Sequence, residues 1–437
     1  MDLIGALLAC VVAATLAKLT WPWLRRIPRT TRIPLLVYLA GYIVTYCAGA
    51  IVVAATKGEV LELYWGAAVH LPDDILESPI YWVLLLLPIV VVPLTVRLLH
   101  GNIGNVIDPA PGEARPIGVA WPTLLYAACV AYISQNPTYG AAWVAPFDYL
   151  EADASTMYSR RGDLLAGMST LDAAILYTIT PLLTFVVVQE ALRSRRQVHV
   201  ALAVAMSLST VALQLALAQA APTMVFAVAV LLSVAVRRFG RVVVPSGALG
   251  ALFVFRYLGV KYASRSMIIP FLEIFLRMPS IYPYYIWFVR IRGYGGVPVV
   301  ALLTAGRAET PTSWASLVGG FVFPSASVAV HTPAPAHVQA FADGGLLYAF
   351  FILVLIGAGI RAVGAIRERG HGHDSTLDRG FYVSACCTIY MTTQLTFFEA
   401  LYGAYGVLWS LLTYGLLKLL STRAAHAGDA RIPEAAP

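Results

Sequence analysis

The chain has 437 residues, of which 59% are hydrophobic and only 12% are charged. A soluble domain carries about 25% charged residues, so this composition excludes an ordinary soluble protein and indicates one that spans a membrane. The formal net charge is +7, which here reflects arginines near anionic lipid better than a nucleic-acid partner. The five cysteines lie inside apolar segments, with neither a disulfide framework nor a zinc-ligand spacing.

Apolar stretches predict the transmembrane helices, because about 20 apolar residues cross the hydrocarbon core. About eleven such stretches occur, at 2–20, 33–56, 80–98, 117–133, 170–190, 198–218, 221–236, 242–260, 345–364, 380–398 and 402–420. The start of the chain lacks a basic segment and a cleavage site, which predicts a retained first span. We therefore expect one all-α polytopic membrane domain over 1–420, followed by a polar tail at 421–437.

Basic residues between the spans predict the orientation, because cytoplasmic loops carry the excess of Lys and Arg. Groups of arginines follow spans one, three, five, seven and nine, whereas the loop after span two has five acids and one lysine. This pattern predicts an N-terminus outside and a cytoplasmic tail. Three outer loops are then long, at about 57–79, 134–169 and 261–344, and long loops on one face usually carry function.

The third outer (periplasmic) loop, 261–344, lies before the last three spans and holds six basic residues against three acids. Such a charge is unusual on the outer side of a membrane. The aromatic run from Tyr282 to Trp287 predicts anchors at the headgroup level, and the glycines from Gly293 onward predict the end of that segment. Arg290 and Arg292 would share one face if the segment were extended.

Seven arginines form the candidate anion-binding set, because a planar guanidinium holds phosphate oxygens through two parallel hydrogen bonds. Arg256 lies near the outer end of span eight, where its alternative role is to snorkel to the interface. Arg160 and Arg161 lie in the second outer loop among acids with which they could pair instead. The set is Arg160, Arg161, Arg256, Arg265, Arg277, Arg290 and Arg292.

His331 and His337 lie just before span nine and are followed by Asp343. A histidine with a pKa near neutrality can take the proton from a sugar hydroxyl, whereas hydrogen bonding to the backbone is the alternative role. The chain has no recognised metal-ligand spacing, phosphate loop or dinucleotide fingerprint. A metal site therefore has no support from the sequence, and a nucleotide-driven cytoplasmic enzyme is not expected.

Acidic residues offer a second kind of site. Asp73 and Asp74, adjacent in the first outer loop, are candidates for a base or metal ligand in a lipid-sugar-dependent glycosyltransferase, and a solvated acidic loop is the alternative. Asp172, at the start of span five, is expected to favour the N-terminus of that helix. Glu399, at the outer end of span ten, is a further possible site acid.

In these features the chain resembles the bacterial oligosaccharide repeat-unit polymerases (the Wzy-type O-antigen and exopolysaccharide polymerases) and, more distantly, the O-antigen ligases. The resemblance lies in the many spans, the large outer loop before the last of them, and Arg277–Gly296 within that loop. It also includes the ending Thr332-Pro-Ala-Pro … Phe341-Ala-Asp343-Gly-Gly345-Leu-Leu, which runs into a helix. Ligases place a His-Asn or similar pair before such an element, where this chain has Ala334 between two histidines.

The resemblance implies glycosyl transfer on the outer side of the bacterial inner (cytoplasmic) membrane. A polyprenyl-diphosphate-linked glycan would be transferred to a sugar hydroxyl of a second lipid-linked unit. The arginines would bind the diphosphate, and His337 or His331, with Asp343, would supply the catalytic groups. The resemblance also implies that the reaction needs no metal, nucleotide or other cofactor. The expected partners are the lipid-linked donor and acceptor and membrane lipid, and a chain-length regulator stays open as a further one.

Three other functions compete with polymerisation. An O-antigen ligase would use the same donor chemistry on a different acceptor. Another polyprenyl-phosphate-sugar-dependent glycosyltransferase would depend on Asp73 and Asp74 rather than on the arginines. A glycan or lipid transporter would function through polar residues inside the membrane and through internal repeats, but the spans carry few charges and no repeat is evident.

Overall fold

The computed structural model describes residues 22–24, 26–47, 49–50, 74–75, 78–100, 118–136, 168–216, 281–295, 317–320, 334–369, 375–393, 397–403 and 406–429, together with Thr15, Val53, Tyr139, Phe226 and Ala229. Nearly all of these residues are helical, and none of them lies in a β-strand. The described part of the chain is therefore all-α, as the sequence predicts.

The helices follow one another along the chain with two short π-helical turns between them. The α-helices are α1 (Arg29–Tyr42), α2 (Pro79–Leu98), α3 (Ala120–Gln135), α4 (Thr170–Ala174), α5 (Thr180–Ser194), α6 (Gln197–Ala216), α7 (Ile281–Arg292), α8 (Ala336–Arg369), α9 (Thr376–Met391), α10 (Phe397–Tyr402) and α11 (Val407–Asp429). The π-helical turns are Ile43–Cys47 after α1 and Ile175–Ile179 between α4 and α5.

Within the described residues, four helical segments are long and apolar enough to cross a membrane: Pro79–Leu98, Thr170–Ser194, Gln197–Gln214 and Ala336–Glu368. They coincide with four of the predicted spans, and α1, α3, α9 and α11 overlap four others. The predicted spans 2–20, 221–236 and 242–260 lie outside the described residues, apart from Thr15, Phe226 and Ala229. The number of eleven spans and the orientation of the chain stay predictions.

Exposed apolar side chains follow one face of two helices. In α6 they are Val200, Val204 and Leu208, and in α11 they are Leu408, Leu412 and Leu416. Residues four apart lie on the same side of a helix, so each set forms a continuous apolar stripe. Stripes of this kind are costly in water but suit the hydrocarbon of a bilayer, which supports the assignment to a membrane.

The chain forms two compact units. Unit 1 comprises residues 1–107, 266–365 and 389–397, and unit 2 comprises residues 108–265, 366–388 and 398–437. Unit 1 therefore contains α1, α2, α7 and most of α8, whereas unit 2 contains α3 to α6, most of α9, and α11.

Glycines in α8 let the helices of unit 1 approach one another closely. A Cβ atom at Gly357 would lie 2.7 Å from the Cβ of Thr95 in α2, and one at Gly364 would lie 2.8 Å from the Cα of Thr31 in α1. Between these glycines, Arg361 is buried and donates a hydrogen bond to Thr31 Oγ1 over 3.3 Å. Small residues allow this backbone-to-backbone packing, which holds α8 against α1 and α2.

The residues at the end of α9 and directly after it connect that helix end with the beginning of α8 in unit 1. The Thr392 and Thr393 hydroxyls donate to Ile389 O (2.6 Å) and Tyr390 O (2.7 Å), which tightens the last turn. The carbonyl of Thr392 then accepts the N–H of Ala336, the first residue of α8. These bonds explain why the helix ends at Met391 rather than continuing to residue 398, as the apolar pattern predicted.

In unit 2, hydroxyl groups join three neighbouring helices. Thr210 Oγ1 of α6 lies 3.2 Å from Thr184 Oγ1 of α5 and 3.0 Å from Tyr126 Oη of α3. The π-helical turn before α5 precedes Pro181, which lacks the N–H that a regular helix would need there. Thr180 Oγ1 donates to the carbonyl of Ile175 over 2.9 Å, so that turn keeps its polar groups satisfied.

Asp172 serves the N-terminus of α4, as the sequence predicts. Its backbone N–H donates to Ser169 Oγ, and its carboxylate accepts the Ser169 N–H, each over 3.1 Å, which forms a capping box. Tyr139 Oη donates to the same carboxylate over 3.3 Å. Burial and, after it, the charge of Asp172 raise the pKa of Tyr139 to about 12.

The close packing of α8 on α2 can be checked with a matched pair of substitutions. Gly357→Ala is expected to cost about 1–3 kcal/mol of stability, because the added methyl group meets Thr95 in a packed interface. Gly359→Ala in the same helix adds a methyl group in open space and is expected to leave stability unchanged or slightly raised. The apparent melting temperature in detergent measures both, and equal shifts would contradict the close packing.

Candidate functional site

Helix α7 lies within the segment predicted as the third outer loop, and its tyrosines are buried in unit 1. Tyr282, Tyr284 and Tyr285 are at most 2% exposed and pack with residues of α1, α2 and α8 in one apolar core. The prediction that they anchor the chain at the headgroup level is therefore wrong. A tyrosine can be buried when its hydroxyl finds a partner, and for Tyr282 that partner lies inside the protein.

A chain of hydrogen bonds connects α7 with three other helices of unit 1. Tyr282 Oη of α7 lies 2.6 Å from Tyr42 Oη of α1 and 3.1 Å from His337 Nε2 of α8. Tyr42 Oη donates to the carbonyl of Leu85 in α2 over 2.9 Å. His337 Nε2 also lies 3.1 Å from the carbonyl of Leu84. The candidate base His337 is thus bonded directly to groups of α2 and α7, and through Tyr282 to the hydroxyl of Tyr42 in α1.

The carbonyl of Leu84 is available to His337 because of a proline one helical turn later. In a regular α-helix this carbonyl would accept the N–H of residue 88, but that residue is Pro88, inside α2. In an apolar environment a carbonyl without a partner is costly. His337 supplies the missing partner.

His337 is fully buried and lies in the second position of α8, not in an irregular loop. The ring of Tyr42 meets its imidazole edge-on, with centroids 5.6 Å apart, and the Tyr282 ring lies 5.9 Å away. No described residue forms a hydrogen bond with His337 Nδ1. The alternative role predicted from the sequence for this histidine is a hydrogen bond to the backbone, and the bond to the carbonyl of Leu84 is present. The role of His337 as a base stays a prediction.

The two arginines of α7 are exposed at the other end of the helix. Arg290 forms an ion pair with Asp74, and the side chains of these two residues are 62% and 56% exposed. Arg292 is exposed in the same last turn. The expectation of an extended segment is wrong, and residues two apart on a helix point about 200° apart, so the two arginines do not share a face.

The chain leaves α7 through a glycine and then packs against the first part of α8. Gly293 adopts a φ of +81° and its N–H donates to the carbonyl of Val289 over 2.8 Å, which ends the helix. The N–H of Gly295 donates to the carbonyl of Ala342 over 3.0 Å. The ring of Tyr294 packs edge-on against Phe341. The end of α7 is thereby fixed next to the segment that carries His337.

Two glycines interrupt α8 directly after Asp343. Gly344 and Gly345 have non-helical backbone angles, with a φ of +78° at Gly345, and the helix continues beyond them. A left-handed backbone angle favours glycine, which explains this residue type at Gly345. The acidic-Gly-Gly element therefore runs into a helix, as the sequence predicts, but a helical segment also precedes it. Asp343 is half-buried at the end of that segment.

The remaining candidate residues lie outside the described part of the chain. They are Arg160, Arg161, Arg256, Arg265, Arg277, His331 and Asp73. Their roles stay predictions. Glu399 lies in α10, where the structure describes the backbone alone.

Two features of the site were not predicted from the sequence. One is the set of tyrosines that hold His337, and the other is the pairing of Arg290 with Asp74. The spacing of four residues between Tyr38, Tyr42 and Tyr46 was a usable signal, because it puts three hydroxyl groups along one side of the chain. The ion pair joins residues 216 positions apart, so no local pattern could have indicated it.

Comparison with known proteins finds no matching family model, no matching curated protein and no matching solved structure. The described part of the chain is all-α, and four of its helical segments are long and apolar enough to cross a membrane.

The ion pair between Arg290 and Asp74 is expected to contribute little to stability. Exposed pairs are worth about 0–1 kcal/mol, because water screens the charges. Arg290→Gln and Asp74→Asn should each leave the apparent melting temperature of the protein in detergent nearly unchanged. A loss comparable to that of Gly357→Ala in either variant would contradict this prediction and assign the pair a structural role.

Proposed function

We propose that the protein is a membrane glycosyltransferase that polymerises polyprenyl-diphosphate-linked oligosaccharide repeat units outside the membrane. The observation that carries this proposal is the arrangement of α7. Tyr282, in its first turn, contacts the buried His337, whereas Arg290, in its last turn, is exposed. Eight helical residues separate the two ends by about 12 Å. One rigid element thus connects a candidate base with a candidate anion-binding group.

The exposed end of α7 combines positive charge with apolar surface. Ile291 and Tyr294 are more than half exposed beside Arg290 and Arg292. A ligand with an anionic head and a long apolar chain, such as a polyprenyl diphosphate, matches this combination. Arg290 already engages a carboxylate in this structure, so its guanidinium is in a conformation that contacts an oxygen anion.

The proposed glycosyl transfer requires the groups at both ends of α7. The acceptor hydroxyl oxygen attacks the anomeric carbon of the donor sugar, and the bond from that carbon to the diphosphate oxygen breaks. The electron pair leaves with the diphosphate, whose added negative charge the arginines stabilise. The proton of the hydroxyl passes to a base, for which His337 and His331 are the candidates. No metal or nucleotide enters this scheme.

The proposal can be tested with purified protein and a lipid-linked repeat unit in detergent, the products being separated by length on a gel. A ladder of lengths is the expected result. A single added unit would instead indicate a ligase or a simple transferase. Absence of any new product, from protein that is folded and monodisperse, would contradict glycosyl transfer and favour a transporter.

Removal of the Arg290 guanidinium should weaken the reaction. Arg290→Ala is expected to lower kcat/KM by about 10- to 100-fold, because a charge-assisted hydrogen bond to the leaving group contributes about 1.5–3 kcal/mol. Arg196→Ala, which removes an exposed arginine from unit 2, is the matched control and should retain activity. If Arg290→Ala keeps full activity at normal expression, the diphosphate role is wrong.

Asp74 distinguishes the polymerase from a transferase that depends on the acidic pair. In the polymerase, Asp74 competes with the diphosphate for Arg290, so Asp74→Asn should retain kcat and leave KM for the donor unchanged or lowered. Loss of all activity in Asp74→Asn, with stability unchanged, would instead favour the acid-dependent enzyme.

A further inference from the structure

We propose that Tyr282 is a positioning residue that, together with Tyr42 and two carbonyl groups of α2, holds His337 as the tautomer protonated on Nε2. Nδ1 is then the nitrogen that accepts the proton of the acceptor hydroxyl. The tautomer follows from the hydrogen bonds of unit 1 alone. The role of Nδ1 rests on the proposed function.

The first constraint on the tautomer comes from Leu84. Its carbonyl oxygen can only accept a hydrogen bond, and His337 Nε2 lies 3.1 Å from it. Nε2 must therefore carry the hydrogen of this bond. Because Pro88 has no N–H to offer the same carbonyl, the histidine has no competitor from within α2.

The second constraint is independent and starts at Leu85. Its carbonyl also only accepts, so the hydroxyl hydrogen of Tyr42 points to it over 2.9 Å. In the 2.6 Å contact between the hydroxyls of Tyr42 and Tyr282, the donor is then Tyr282. With its hydrogen used there, Tyr282 can only accept from His337 Nε2 over 3.1 Å. Both carbonyls thus require a hydrogen on Nε2, and this single hydrogen is shared between the Leu84 and Tyr282 oxygens.

Nδ1 is left as the open position of the ring. A fully buried imidazole without an acidic partner is neutral, because a buried charge is costly, so a hydrogen on Nε2 leaves a lone pair on Nδ1. Among the described residues, none donates to this atom. A buried acceptor without a donor is rare in proteins and points to a donor supplied by a ligand. A sugar hydroxyl is such a donor, and it must gain access to the ring to react.

Tyr282 acts through His337 and does not itself contact substrate in this scheme. Its hydroxyl accepts from Nε2–H, and its ring packs beside the imidazole. When Nδ1 takes up a proton, the imidazole becomes cationic, and the Tyr282 and Leu84 oxygens accept a stronger hydrogen bond from Nε2–H. Loss of the Tyr282 hydroxyl should therefore lower kcat more than it changes KM for the donor.

The tautomer can be measured by magnetic resonance on protein containing 13C,15N-labelled histidine in lipid bilayers. The chain has eight histidines, and His337→Gln identifies the signals of this one by their loss. The ring carbon to which each nitrogen is coupled distinguishes Nδ1 from Nε2. The expected result is a protonated Nε2 and an unprotonated Nδ1. A hydrogen on Nδ1, alone or with one on Nε2, would overturn the proposal.

The positioning role is tested by Tyr282→Phe against a matched control. Tyr81→Phe removes the hydroxyl of a second fully buried tyrosine of the same core, for which no described residue is a hydrogen-bond partner. Tyr282→Phe is expected to lower kcat about tenfold, leave KM for the donor nearly unchanged and shift the Nε2 resonance. Tyr81→Phe should alter none of the three. Equal kcat values for the two variants would overturn the positioning role.

Two further comparisons distinguish a failure of this proposal from a failure of the variant to fold and from a failure of the proposed function. If Tyr282→Phe is not recovered folded, Tyr42→Phe breaks the same chain one bond further from His337 and should also lower kcat with KM retained; an unchanged kcat would overturn the role. If the wild-type protein forms no glycan ladder, the proposed function and the role of Nδ1 both fail, whereas the tautomer is still decided by the resonance spectrum. A ladder together with a protonated Nδ1 would overturn the inference alone.

Discussion

The geometry of unit 1 depends on one backbone group, the carbonyl of Leu84. Pro88 removes its helical partner, and within apolar surroundings such a group must find another donor. His337 Nε2 provides it, and this bond fixes the first turn of α8 against α2. The adjacent carbonyl of Leu85 orders the hydroxyls of Tyr42 and Tyr282 in the same way, which brings α1 and α7 to the same point. The proline thus frees the carbonyl that α8 contacts through His337, and the neighbouring carbonyl brings α1 and α7 to the same part of α2.

The features predicted from the sequence were those with a local cause. Long apolar runs indicated the spans at 80–98 and 345–364, because hydrophobic length alone decides whether a helix can cross a membrane. The structure has helical segments of that kind at Pro79–Leu98 and Ala336–Glu368. Asp172 was assigned to a helix N-terminus because it lies at the start of an apolar run. The tyrosines of α7 were misassigned because an aromatic run suits both a lipid interface and a buried core. What decides between them is a partner 240 positions away, Tyr42.

The predictions of helix boundaries were wrong for a related reason. The apolar pattern continued past Met391, but the helix ends there because Thr392 offers its carbonyl to the first residue of α8. Likewise, the sequence predicted a loop up to residue 344 and a span from residue 345, but not the helical turns before Gly344, which contain His337. In each case a contact between distant segments fixes the end of an element. Such contacts produce no periodicity in the sequence of either segment, so local sequence patterns cannot predict them.

The two ends of α7 differ in how firmly their side chains are held, and this difference suits their proposed tasks. A group that accepts a proton must be held at a fixed distance and in one tautomer, which the buried bonds around His337 provide. A group that binds a diphosphate must exchange partners as donor arrives and product leaves. Arg290 can do so because its bond to Asp74 is exposed and weak. Burial at one end and exposure at the other thus match the two different requirements of the proposed reaction on a single helix.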